Sequence, residues 1–185
     1  MLYSTIAPAA MLLALAPSAL AVGSAHVVNN CGIPVYFASV AQSVHASMAE
    51  LPSSGYSESY TLPNVGVSIK LSPNATGAVT QFEFTWADGN INYDISNING
   101  NPFMSGGMEL TPSMQGASGF PSCQTVSCPA GVETCTEAYN LPDDVRTMVC
   151  PEDSDLTMTL CPGGSMKRDP QFHGHSHRQH ARQFK

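Results

Sequence analysis

Between residues 22 and 166 the chain alternates short apolar runs with clusters of turn formers, and nowhere sustains a helical period. Runs rich in Val, Ile, Thr and aromatic residues predict strands at 26–30, 35–40, 57–61, 67–71, 79–86, 91–95 and 156–161. The clearest is Gln81-Phe82-Glu83-Phe84-Thr85-Trp86, where aromatic and polar side chains alternate as in a half-buried strand. Asp88-Gly89, between that run and Ile91-Asn92-Tyr93, is a hairpin signal. Gly32, Pro34, Pro52, Pro63, Gly100, Pro102, Gly106-Gly107, Pro129 and Pro142 punctuate the rest. No amphipathic helix of about ten residues or more is legible. The pattern predicts an all-β chain, an antiparallel β-sandwich.

The two ends read differently from the middle. Residues 1–21 carry no charged side chain, hold an apolar run and end in Ala19-Leu20-Ala21, the small-residue spacing that signal peptidase accepts. A membrane anchor is the alternative, but Pro8 and Pro17 interrupt a stretch already shorter than the ~20 residues that a span needs. The expectation is a signal peptide over 1–21, one domain over 22–166 and a flexible tail over 167–185. A cut after Ala25 instead would make His26 the mature N-terminus, where amine and ring chelate copper; the Ala21 site fits the cleavage rule better.

Charge excludes some partners. Only 11% of the residues are charged, less than half the ~25% usual in globular domains, which argues against a highly charged disordered chain. From 22 to 166, thirteen acidic residues face only Lys70 and Arg146, a net charge of −11, whereas 167–185 carries +4. An acidic domain repels nucleic acid and anionic membranes.

Cysteines fit export. Cys31, Cys123, Cys128, Cys135, Cys150 and Cys161 make an even set, for which three disulfides are the default; on sequence alone every pairing stays open. Zinc is the weaker reading, because no Cys-x-x-Cys pair occurs. These bridges add a disulfide-tied loop region to the expected sandwich. Asn74-Ala75-Thr76 is the single glycosylation sequon, set in a predicted surface turn.

Several segments resemble thaumatin-like proteins: Val28-Asn29-Asn30-Cys31 with Pro34-Val35-Tyr36, Glu83-Phe84-Thr85, and Tyr93-Asp94-Ile95-Ser96 with Gly100. Further matches are Cys123-x4-Cys128-Pro129, Cys135-Thr136-Glu137-Ala138-Tyr139, Pro142-Asp143-Asp144, Cys150-Pro151 and Thr157-Met158-Thr159-Leu160-Cys161-Pro162. With six cysteines where the plant proteins usually have sixteen, the chain looks closer to the small fungal branch that includes the Blastomyces yeast-phase-specific and conidial germination-associated proteins. The resemblance implies the compact thaumatin-like β-sandwich and the pairs Cys31–Cys161, Cys123–Cys150 and Cys128–Cys135. It also implies an acidic cleft for β-1,3-glucan, in which Glu83 and Asp94 match the family's Glu and first Asp. Asp143 or Asp144 matches the late Asp, Asn99 replaces the middle Asp, and the family's Arg falls near Ser68, two residues before Lys70.

The chemistry points the same way. Two carboxyls flanking a glycosidic bond can cut it, and carboxylates in a cleft also hold sugar hydroxyls with far less demand on placement. With Asn99 neutral and the family's Arg unmatched, binding outranks both a merely structural pair and hydrolysis for Glu83 and Asp94, and a weak endo-β-1,3-glucanase stays as the alternative function. Phe84, Trp86 and Tyr93 are candidates for stacking on sugars, with Trp86 leaning towards the core. Met104, Met108 and Met114 read as fillers of irregular core gaps in one loop region. In the tail, His173, His175, His177 and His180 admit three readings: a propeptide removed at Lys167-Arg168, an inert solvated tail, or an arm that binds Cu²⁺ or Zn²⁺. No other cofactor is expected. The expected protein is a secreted monomer of the extracellular space or cell wall, with β-1,3-glucan or another wall polysaccharide as partner. Action on host surface proteins is a third class without a sequence mark.

Overall fold

A computed structural model describes residues 21–41 and 47–166. The expected leader up to Leu20 and the tail with its four histidines lie outside the described residues. Among the described residues, eleven strands form two sheets. One holds β1 (Ser24–Asn29), β4 (Tyr56–Ser59), β8 (Met108–Pro112), β9 (Val126–Cys128) and β11 (Leu156–Leu160), in the order β4-β1-β11-β8-β9. The other holds β2 (Tyr36–Ala41), β3 (Ala49–Glu50), β5 (Gly66–Ser72), β6 (Thr80–Ala87), β7 (Asn90–Ser96) and β10 (Met148–Pro151), in the order β10-β7-β6-β5-β2-β3. Among the described residues, the named strands pair antiparallel except β1 with β11, which run parallel. No helix occurs among the described residues.

The core lies between the sheets and follows the period of two. Ala25 and Val27 of β1, Ile69 and Leu71 of β5, Phe82 and Phe84 of β6, Ile91, Tyr93 and Ile95 of β7, and Leu156, Met158 and Leu160 of β11 are all buried. The Asp88-Gly89 signal becomes the β6–β7 turn: both residues have positive φ, 52° and 74°, the condition of a type I′ turn between twisted strands.

β1 begins at Ser24, and Ala25 is fully buried and registered against Glu58 and Leu156. A mature chain that began at His26 would lose these two positions of the sheet.

Four strands depart from expectation. β3 has two residues and β9 three, too short for any period to show. β10 contains Pro151, which it tolerates as an edge strand. Met108 opens β8 and is a core residue, whereas Met104 and Met114 are exposed, so the three methionines do not share one role.

Disulfides join Cys31 to Cys161, Cys123 to Cys150 and Cys128 to Cys135, the pairing that the resemblance implies. Gly107 sits where the loop before β8 passes this framework. Its φ is +75°, its N–H donates to Phe103 O at 2.8 Å, and its carbonyl accepts from Cys161 N at 2.9 Å. An added Cβ would lie 2.8 Å from Ala130 N and 2.9 Å from Cys128 O, both backbone atoms. Gly107→Ala is therefore expected to cost at least about 1–3 kcal/mol from overpacking, before backbone strain is added. A urea midpoint equal to that of the unaltered protein would contradict this.

Candidate functional site

The alternation that buries Phe82 and Phe84 turns Gln81, Glu83 and Thr85 of β6 to the outer face of the six-stranded sheet. The tight turn fixes the β6–β7 register, so Glu83 stands opposite Asp94, Gln81 opposite Ser96 and Thr85 opposite Asn92. From β5, Ser68 is opposite Glu83 and Lys70 opposite Gln81. Directly opposed residues have Cβ atoms about 4.5–5.5 Å apart. Strand pairing alone thus brings two carboxyls together. They line an open cleft of about 420 Å³ with Val40, Ser68, Asn92 and Thr147.

Burial raises the Glu83 carboxyl above its ordinary range, while the Ser96 and Ser68 hydroxyls and the Lys70 charge pull the other way. Asp94 is pushed up to about 7, first by burial and then by the charge of Glu83. Its Oδ1 is buried with no hydrogen-bond partner among the described residues. Two such groups titrate as a coupled pair, in which the charge of one raises the proton affinity of the other. A protonated carboxyl donates and its ionised neighbour accepts, which complements an array of sugar hydroxyls.

Gln81 carries the polar network further. Its Oε1 accepts from Ser68 Oγ at 3.0 Å, and its Nε2 donates to Asn99 Oδ1 at 3.1 Å. Asn99 lies in a second polar pocket, about 370 Å³, with Lys70, Asn74 and Met48. It sits beside the carboxyl pair, one amide away, and not between them. Asp143 is exposed, and neither it nor Asp144 lines the cleft. The Asp144 carboxylate instead accepts from Asn140 N at 2.8 Å and Leu141 N at 2.9 Å, bonds that hold it below the usual carboxylate range. Its role is to close a turn. Two carboxyls converge, not three.

Comparison with known proteins gives the framework a family. A model of the Blastomyces yeast-phase-specific protein family matches residues 12–162. The chain belongs to that family. It is 42% identical over 161 residues to the antigenic thaumatin-like protein of Arthroderma benhamiae, covering 83% of this chain and 80% of that one. It is 30% identical over 167 residues to the secreted thaumatin-like protein calA of Emericella nidulans, covering 86% and 93%. Among solved structures it is similar to the protein elicitor MoHrip2 of Magnaporthe oryzae, with a TM-score of 0.60, 25% identity, and coverage of 75% of this chain and 98% of that one. These matches and the two sheets make it a fungal thaumatin-like protein of all-β fold.

Within this thaumatin-like frame the aromatic candidates fall on the inner side of the sheet. Phe84 and Tyr93 are buried core residues, and the Tyr93 hydroxyl donates to Gln124 O at 2.6 Å. Trp86 is half-buried against the core, and its Nε1 donates to Glu152 Oε2 at 2.7 Å. Phe84 borders the carboxyl cleft but is only 5% exposed, and neither Tyr93 nor Trp86 lines it, so none of the three offers a sugar platform there. Sequence reasoning missed Gln81, Ser96, Asn92 and Thr147 as neighbours of the pair. The first three were within reach: alternation along β6 and β7 and the hairpin register between them place each one.

Proposed function

We propose that this chain is a secreted protein that binds β-1,3-glucan of the cell wall or extracellular space through the cleft of Glu83 and Asp94, in wall remodelling or germination. The observation that carries the reading is the opposed carboxyl pair in an open cleft, where burial and the charge of Glu83 push the Asp94 carboxyl up to about 7. Secretion is supported by three disulfides, which persist in oxidising compartments, and by the name of the Emericella nidulans relative. Carbohydrate recognition needs no more than the donor and acceptor pattern that the pair and its Ser, Asn and Gln neighbours present. A pull-down with soluble β-1,3-glucan, run beside a reducing-sugar assay, tests this. Retention without release of reducing ends is expected; release of reducing ends would give the alternative, a weak endo-β-1,3-glucanase. Retention of an α-glucan equal to that of β-1,3-glucan would contradict the reading.

The likeness to a protein elicitor favours a second reading, action on host proteins. A host response that survives Glu83→Gln unchanged would support it against the glucan cleft.

A further inference from the structure

The connection between β5 and β6 holds Asn74-Ala75-Thr76, and residues 74–78 are all exposed. Asn74 N donates to Ser72 Oγ at 3.2 Å, and among the described residues 74–78 make no backbone–backbone hydrogen bond. Gly77, with φ +118° and open space about it, takes up this turn without steric cost. The acceptor amide is thus accessible on a backbone that no ladder constrains. Asn74 also lines the pocket of about 370 Å³ that Lys70, Met48, Val79 and Asn99 share, a volume in the range of small-molecule sites. The lining suits an N-acetylated sugar: Met48 and Val79 offer apolar contact, and the Lys70 ammonium donates. Asn99 uses its Oδ1 for Gln81, which leaves its Nδ2 to donate.

We propose that Asn74 carries an N-linked glycan whose innermost sugars seat in this pocket against Lys70, Met48 and Asn99. In the transfer, Asn74 Nδ2 attacks C1 of the reducing-end sugar of a lipid-pyrophosphate-linked oligosaccharide. The N–C1 bond forms as the C1–O bond to pyrophosphate breaks; the lipid pyrophosphate leaves with the electron pair, and one Nδ2 proton passes to a base of the transferase. The seated glycan closes the Asn99 end of the sheet face and leaves the Glu83–Asp94 cleft open. This rests on the secretory route and is independent of glucan recognition.

The test uses the full chain secreted from a fungal host. Peptide mass mapping should find a glycan on Asn74 that enzymatic deglycosylation removes and that Asn74→Gln and Thr76→Ala both abolish. Lys70 acetylation, normalised to the same peptide in urea-unfolded protein, should be at least several-fold slower in the glycosylated protein than in the deglycosylated one. Deglycosylation of folded protein keeps the comparison valid if either variant fails to fold. Secreted protein with unmodified Asn74 would overturn the proposal, and so would a glycan that leaves the Lys70 rate unchanged. Neither result bears on binding of soluble glucan.

Discussion

Replacing Cys31 and Cys161 together by alanine is expected to lower unfolding free energy by about 4–5 kcal/mol, as the chain-entropy account gives for so long a loop. The two sulfurs bridge a sequence separation of 130 and follow β1 and β11, the parallel pair in the middle of the five-stranded sheet. The native state holds that pairing in either case; the bridge acts by denying the unfolded chain its widest conformations. Both residues are buried, so the variant also leaves a small void. Replacing Cys128 and Cys135, separated by 7 residues, is expected to cost only about 2.5 kcal/mol by the same relation. A loss near the upper value consumes a large share of the roughly 5–15 kcal/mol typical of a domain. Urea unfolding of both variants checks the ranking, and equal losses would contradict the loop-length explanation.

Asp94→Asn is expected to stabilise the protein at alkaline pH. The folded-state pKa of Asp94 is raised from 3.8 to about 7, so across that interval the folded chain holds a proton that the unfolded chain has released. Stability therefore falls as pH rises through the window, and the whole penalty is present above pH 7. Its size is about 4 kcal/mol, since each tenfold change in proton affinity corresponds to about 1.4 kcal/mol. Glu83, also raised, adds a contribution of the same sign. Asparagine keeps the shape and removes the charge, so the variant should gain stability at pH 8, gain little at pH 4 and show a flatter profile between. A loss of stability at pH 8 would mean that the carboxylate has a stabilising partner. The pair is thus held against its own electrostatic cost, as expected of a site kept for binding rather than for stability.

β6 and β7 were legible because their alternation is strict and Asp88-Gly89 fixes how they pair; these three facts alone bring Glu83 to Asp94. β8 escaped although Met108-Glu109-Leu110 alternates, because the run ends at Pro112 and follows a Gly-Gly turn. β3 and β9 are too short for periodicity and exist only because neighbouring strands offer them an edge. The parallel pairing of β1 with β11 spans nearly the whole domain, and local pattern carries no information on such contacts. Asp144 misled for a different reason. A motif match gives a position in the chain but not the competing local chemistry, and a carboxylate three residues after Leu141 is well placed to close its own turn. Asn99 was set beside the pair rather than within it by the length of Gln81, whose amide fills the gap.

Calorimetric titration with soluble β-1,3-glucan as a function of pH, on the unaltered protein and on Glu83→Gln, tests the carboxyl cleft most directly. Affinity of the unaltered protein should rise as pH falls through about 7, where the pair takes its first proton, and fall again once the second enters and no carboxylate is left to accept. Glu83→Gln should fold normally, bind more weakly and lose that rise and fall. An unchanged pH profile in the variant, or no binding by the unaltered protein at any pH, would contradict the assignment of the cleft.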